Sequence, residues 1–350
     1  VRLLSAAWLL ARGEAYILER MQDLQRRCDG DERAFLEPGR AAELLDQRFG
    51  IVAISYGWLS KRHPDPTGFH MRTVQRYLKS HLLWVKGEHL DDVGVFWDFA
   101  SLPQDAPDGI EKTAEERRAF KRGLHAIGLL YGDPRTMVIQ LTKVPEAPQS
   151  TDGSGANLAP YEMRGWCFFE ATVSGLEKES SMLLDLGLGT AELELERANW
   201  NAVREASTSK RRPPLRPEDM AEELQKRTFT NSSDADVVAE KYASFFREVA
   251  AAAQTLDFTN YNRGQGWGDT EVMQLSRALP SFTACKKLCL CYHKKLGEKG
   301  LEHLHSSIMQ MPALEKLELP IHLAKTKEGK ALISDWQAAG KQVGWLHVGH

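Results

Sequence analysis

The sequence predicts an α/β protein in two parts. A parallel sheet with helices on both faces comes first, and a short series of strand–helix repeats follows. Three observations carry this reading. Short β-branched runs such as Ile51-Val52-Ala53-Ile54 alternate with amphipathic stretches, the pattern of strands buried on both faces and joined by crossover helices. From residue 254 onward, short alternating leucine runs recur at a near-constant interval. The chain has 350 residues, 42% of them apolar, enough for about two domains and a sizeable core.

Residues 1–44 read as a helical segment. Ala15, Ile17, Leu18, Met21 and Leu24 fall at helical spacing, giving one amphipathic helix over 1–27. The apolar opening stops at Arg12 and acidic residues follow, so it reads as a packing helix rather than a signal peptide. A chain opening on Val1 also reads as a piece of something longer.

Residues 45–253 form the first domain. After a helix over 39–49, the first strand spans 50–55 and runs into Ser55-Tyr56-Gly57-Trp58. Two prolines and a glycine make 61–68 a loop, and a helix over 69–83 follows. The second strand, 93–98, ends at Asp98 and opens into Ser101-Leu102-Pro103-Gln104. Thr113 with Glu116 three residues on is a capping-box pattern for a helix reaching Tyr131. The third strand is 136–141, a Pro/Ser/Gly-rich insertion loop covers 145–160, and 181–186 is a fourth strand. Right-handed crossovers in a flavodoxin-like order, 2-1-3-4-5, put the ligand site outside the carboxyl ends of the first and third strands. The basic loop 207–217 reads as solvated. A long helix, 234–254, with Tyr242, Phe245 and Phe246 on its apolar side, would close this domain.

In 254–350 the strand-like runs are 255–258, 287–290, 316–319 and 345–348, separated by helical stretches. Leu288, Leu317 and Leu346 recur at intervals of 29 residues.

Charge and cysteine content narrow the function. A formal net charge of -3 gives no global attraction to nucleic acid or an anionic membrane, and no run reaches spanning length. Five thinly spread cysteines, among them Cys28, argue for a reducing compartment, hence a cytoplasmic location. Cys285, Cys289 and Cys291 invite a metal, but Cys289 alternates with Leu288 and Leu290 and no histidine stands at zinc-finger spacing, so none is expected. No cofactor is expected either, because the chain has no Gly-x4-Gly-Lys phosphate loop and Gly187-Leu188-Gly189 is too little for a dinucleotide fold. A serine or cysteine nucleophile is disfavoured, because Ser55 lacks a Gly-x-Ser-x-Gly elbow and Cys167 falls inside a helix.

The site is expected around 161–176. Trp166, Cys167 and Glu170 share one helix face with Met163, Val173 and Ser174, so Glu170 stands among apolar neighbours that should raise its pKa. The first strand delivers Ser55, Tyr56 and Trp58 to the same rim, and the second delivers Asp98. The lone His63 reads as a solvated loop residue.

The Ser55-Tyr56 strand end, the strand ending at Asp98 and the run Tyr161-x2-Arg-Gly-Trp-Cys-x2-Glu resemble, in order and spacing, a TIR domain. The likeness covers about 45–190, and its His63-Pro64-Asp65-Pro66 and Ser101-Leu102-Pro103-Gln104 segments look like the TIR-like domains of algae, protists and fungal incompatibility proteins. It departs from the family at Arg164-Gly165, where serine is favoured, and at Ala171, where leucine is. The repeats resemble leucine-rich repeats of the ribonuclease-inhibitor type, with His293 and His322 near the place of the usual asparagine and only Asn262 matching it. These resemblances imply signalling or defence, by one of two routes. The first is cleavage of NAD, as substrate, at its nicotinamide–ribose bond, with Glu170 catalytic and Ser55, Tyr56, Trp58, Asp98 and Trp166 around the substrate. The second is a non-catalytic adaptor that self-associates and binds protein partners through its repeats.

Overall fold

The computed structural model describes residues 1–27, 33–88, 90–106, 109–146, 157–195, 198–229, 234–260 and 266–346. The chain forms two compact units: 1–170 with 182–208 and 227–232, and 171–181 with 209–226 and 233–350.

The first unit is built on a five-stranded mixed sheet. Its strands are β1 (Leu4–Ser5), β2 (Ile51–Tyr56), β3 (Gly94–Phe96), β4 (Met137–Leu141) and β5 (Leu183–Asp185), in the order β1-β3-β2-β4-β5. Strands β2 to β5 are parallel, so the four strands expected from sequence stand in the order second, first, third, fourth. Every residue of β2 and of β4 is buried, as their continuous apolar runs require. Helices Phe69–Gly87 and Ala114–Gly132 are the crossovers flanking β3. The second opens on the expected capping box: Glu116 N donates to Thr113 Oγ1 at 3.2 Å, and Thr113 N to Glu116 Oε2 at 2.7 Å.

The amino terminus differs from expectation. Instead of one helix over 1–27, β1 pairs antiparallel with β3, a five-residue helix follows (Ala6–Leu10), and the next helix starts only at Met21. Local hydrogen bonds outcompete the helical pattern. Ser5 Oγ accepts from Trp8 N to cap the short helix and donates to Asp92 Oδ2 at 2.5 Å, which ties the segment to the approach to β3. Strand β1 thus completes the sheet by covering its β3 edge, and Leu4–Ser5 belong to the first unit rather than to a separate helical segment. Strand β3 is shorter than expected, because Asp98 begins a helical turn, Asp98–Ser101.

The second unit carries a parallel sheet of four strands, β6 (Thr255–Asp257), β7 (Lys287–Cys289), β8 (Lys316–Pro320) and β9 (Gln342–Leu346), in chain order. Helices Asp269–Ala278, Glu298–Ile308 and Lys327–Ala338 alternate with them. Leu256, Leu288 and Leu317 lie in register and are fully buried. The last strand pairs Leu317 with Val343 rather than with Leu346, so the repeat shortens at its final step. His347 and Val348, expected in that strand, and Asn262 lie outside the described residues, as do Cys28 and much of the 145–160 loop. His293 stands after β7, where it serves the backbone: its Nδ1 accepts from Trp267 N at 2.7 Å and its Nε2 bonds the Phe258 carbonyl at 2.8 Å.

Two further expectations are corrected. Helix Asp234–Ala252 belongs to the second unit, where Tyr242 Oη donates to the Leu215 carbonyl at 2.7 Å and Phe246 meets Phe282 edge-on. The basic loop 207–217 is largely buried. Arg211 donates to the carbonyls of Gly175, Leu176 and Asp257 and lies over the Phe258 ring. An arginine with a backbone carbonyl at each of its three nitrogens can leave water, which charge counting along a sequence does not reveal. Among the described residues, no helix is long and apolar enough to cross a membrane.

Candidate functional site

Successive residues of a strand point to opposite faces, and at the carboxyl end of β2 this splits the site into two neighbouring networks. Ser55 turns toward helix Gly165–Ser174. Its Oγ donates to Glu170 Oε2 at 2.5 Å, and the same oxygen is 2.5 Å from the Tyr161 hydroxyl. A serine hydroxyl has one proton, so once it serves Glu170 the Tyr161 hydroxyl donates to it. Tyr56 turns the other way, its ring edge-on to His70 and Trp97, and its hydroxyl donates to Asp98 Oδ1 at 2.7 Å. Trp58 Nε1 donates to Asp98 Oδ2 at 3.2 Å, and Phe99 N to Oδ1 at 2.6 Å. Ser55 and Tyr56 therefore do not line one wall together, although both end at the same rim.

Glu170 is only 8% exposed. Burial holds its carboxyl well above the ordinary range, and the nearby Asp98 adds to the effect, while the hydrogen bond from Ser55 and the neighbouring Tyr131 hydroxyl oppose it. Asp98, half-buried, is raised too, by burial against the opposing bonds of Tyr56, Phe99 and Trp58. Cys167 is buried beside Glu170, and burial with that neighbouring carboxylate pushes its thiol up. A thiol held protonated in this way is no nucleophile. Trp166, half-buried, packs edge-on against Phe169 at 6.0 Å between ring centres, and Met163 is exposed.

Three residues that sequence reasoning left without a role hold the site together. Tyr161 bonds Ser55, and its only sequence signal is its place at the head of the Tyr-x2-Arg-Gly-Trp-Cys run. Tyr131 donates to the Ile54 carbonyl at 2.6 Å with its hydroxyl near enough to Glu170 to lower that carboxyl's pKa, and nothing in its helix marks it out. Arg164, buried, donates to the carbonyls of Trp58 (2.6 Å), Asn157 (2.7 Å) and Ala159 (2.8 Å). It thereby fixes the turn after β2 to the segment before the Glu170 helix. The guanidinium passes so close to Gly57 that a β-carbon there would overlap it. His63 is not a solvated loop residue either: its Nδ1 accepts from Asp65 N and its Nε2 bonds the Leu18 carbonyl.

The arrangement offers a buried carboxyl group bonded by the Ser55 hydroxyl, which Tyr161 in turn orients, with a second carboxyl, Asp98, nearby. Such a group can stabilise developing positive charge once ionised, or move a proton. Comparison of the chain with protein-family models, with curated proteins and with solved structures finds no match.

Proposed function

We propose that the chain is a TIR-like signalling or defence protein whose first unit cleaves NAD at the nicotinamide–ribose bond through Glu170. The observation that carries this reading is the Ser55–Glu170 pair at the carboxyl end of β2, next to β4, where the strand order reverses and open α/β sheets bind their ligands. The flavodoxin-like order of the four parallel strands and the Trp166-Cys167-x2-Glu170 run support it.

In this reading the ribose–nitrogen bond breaks, its electron pair stays with nicotinamide, and nicotinamide leaves neutral without a general acid. The positive charge left on the ribose is stabilised by the Glu170 carboxylate, which also holds the ribose hydroxyls. Water then adds to the ribose carbon and gives its proton to that carboxylate. Burial favours the neutral form of Glu170, so the substrate supplies the switch: a cationic nicotinamide ring nearby favours the ionised carboxylate. Ser55 and Tyr161 orient Glu170, and Asp98, Tyr56 and Trp58 form the rim.

A second reading rests on the 8% exposure of Glu170, which leaves its carboxyl almost out of reach of a ligand in this conformation. There the first unit is a self-associating adaptor. In both readings the second unit, a short leucine-rich-repeat-like array, binds protein partners.

Nicotinamide release from NAD at high protein concentration, with the chain tethered into assemblies in a parallel arm, separates the two. The expected result is release that falls at least about 100-fold in Glu170→Gln, with an unchanged circular dichroism spectrum. No release from either protein in either arm overturns the enzyme and leaves the adaptor.

A further inference from the structure

A second cleft lies in the first unit, on the Tyr56 side of the sheet. Its volume is about 230 Å³. Leu141 at the end of β4 and Leu186 and Gly187 just after β5 form its floor, so it too sits at the carboxyl ends of parallel strands. One wall is a face of helix Phe69–Gly87, with Phe69, His70, Arg72, Thr73 and Arg76.

Its electrostatics are one-sided. Arg72, Arg76 and Lys143 line it, against a single carboxylate, Glu194, which approaches Arg76 only to 4.0 Å with both side chains at least half exposed. Arg72 gives one N–H to the Thr67 carbonyl and lies near Asp65, while Lys143 has no ion-pair partner among the described residues. Asp185, at the end of β5, stands beside Gly187, where its Oδ1 accepts from the Thr142 hydroxyl and from Gly187 N.

The cleft also holds an unspent hydrogen-bonding group. His70 is 1% exposed and its ring bonds the Gly57 backbone, yet its Nε2 has no partner. Burial lowers its pKa to about 3, so the ring is neutral and adds no cation. A buried nitrogen left unmatched costs free energy unless a ligand meets it. A neutral imidazole nitrogen matches a hydroxyl in either tautomer, because a hydroxyl both donates and accepts.

We propose that this cleft binds a small phosphate monoester carrying a hydroxyl group, of the sugar-phosphate class. The phosphoryl group sits among Arg76, Lys143 and Arg72, and a sugar hydroxyl reaches His70, whose Nε2 is closed to solvent in this conformation. The volume lies below the roughly 300–1,000 Å³ of pockets that take drug-sized ligands, so a phosphopentose fits and an intact dinucleotide does not. The inference is independent of any role of Glu170.

Calorimetric titration of the full chain at low salt, with ribose 5-phosphate, inorganic phosphate and ribose as separate ligands, tests it. Saturable binding of ribose 5-phosphate, weaker binding of phosphate and none of ribose are expected. Arg76→Ala and Lys143→Ala, both at exposed side chains, should each weaken ribose 5-phosphate about fivefold. His70→Gln should reduce the preference for the sugar phosphate over phosphate. No saturable signal at roughly 10 mM ligand, or binding unchanged in the Arg76/Lys143 double variant, overturns the site. Equal affinity for phosphate and ribose 5-phosphate overturns the sugar contact at His70.

Discussion

Two glutamates, one in each unit, have nearly the same solvent exposure and sit in opposite electrostatic states. Glu170 is 8% exposed and Glu318 is 7%. Glu170 receives hydroxyl hydrogen bonds and faces another carboxyl, so burial prevails and the acid form is favoured. For Glu318 burial acts in the same upward direction. Hydrogen bonds from Cys289, Lys316 and Lys287, with the attraction of Lys287, outweigh it and hold the carboxyl down at about 2. Lys316 Nζ lies 2.7 Å and Lys287 Nζ 3.1 Å from Glu318 Oε1, and Cys289 Sγ donates to Oε2 at 2.9 Å. Low solvent exposure alone therefore does not set the charge of a carboxyl group: Glu170 lies deep in protein among Ser55, Tyr131 and Asp98, and Glu318 lies shallow under two lysines. Glu318 ties adjacent strands of a sheet together, whereas Glu170 is left with its charge undecided, the condition for a group that responds to a ligand.

The contrast can be broken most forcefully by removing the cations. In Lys287→Met/Lys316→Met, Glu318 should behave like Glu170, with its carboxyl titrating above the ordinary range by carbon-13 NMR. Stability at pH 7 should fall by about 2 kcal/mol in urea unfolding, a value held down by the partial exposure of both lysines. A carboxyl 318 that stays near 2 in this variant would remove the cations as the cause.

A smaller effect is expected from Glu318→Gln, about 1 kcal/mol destabilising at pH 7. The folded-state pKa of Glu318 lies below its unfolded value. Its contribution is therefore present above about 4.5 and is lost as pH falls through about 2, and the variant and the natural chain should converge there.

The effect sharpest in sign belongs to Glu170→Gln. A carboxyl raised on folding stabilises most below its unfolded pKa, and that stability is lost as pH rises through the folded value. Glutamine cannot ionise, so the variant should gain thermal stability relative to the natural chain as pH is raised from 5 to 8. A loss that grows with pH would mean that Glu170 is held ionised by a partner, and the comparison with Glu318 would fail.

Much of the first unit was legible because its information is in periodicity. Continuous apolar runs mark β2 and β4, and Thr113 with Glu116 marks a helix start through a bond pair only a few residues long. Strand β1 was not, because two residues carry no period and the pairing with β3 depends on Asp92, far along the chain. The depth of the loop around Arg211 was hidden for a related reason: its charge reads as exposure, and the carbonyls that satisfy it come from three distant positions. At the candidate site, sequence spacing gave Glu170 its apolar setting, and the strand end brought Ser55 to it. The opposite directions of Ser55 and Tyr56 also follow from strand alternation, but Tyr131 and the three-carbonyl grip of Arg164 exist only in the folded chain.

The closeness of Gly57 and Arg164 has a consequence for how this protein can change over evolutionary time. No side chain can be added at 57 while the guanidinium occupies that space, and no shorter residue at 164 can reach the Trp58, Asn157 and Ala159 carbonyls together. The two positions are inherited as one character. A lineage that acquires a side chain at 57 must give up the arginine and find another way to anchor the turn after β2, passing through an intermediate in which three carbonyls lose their guanidinium partner.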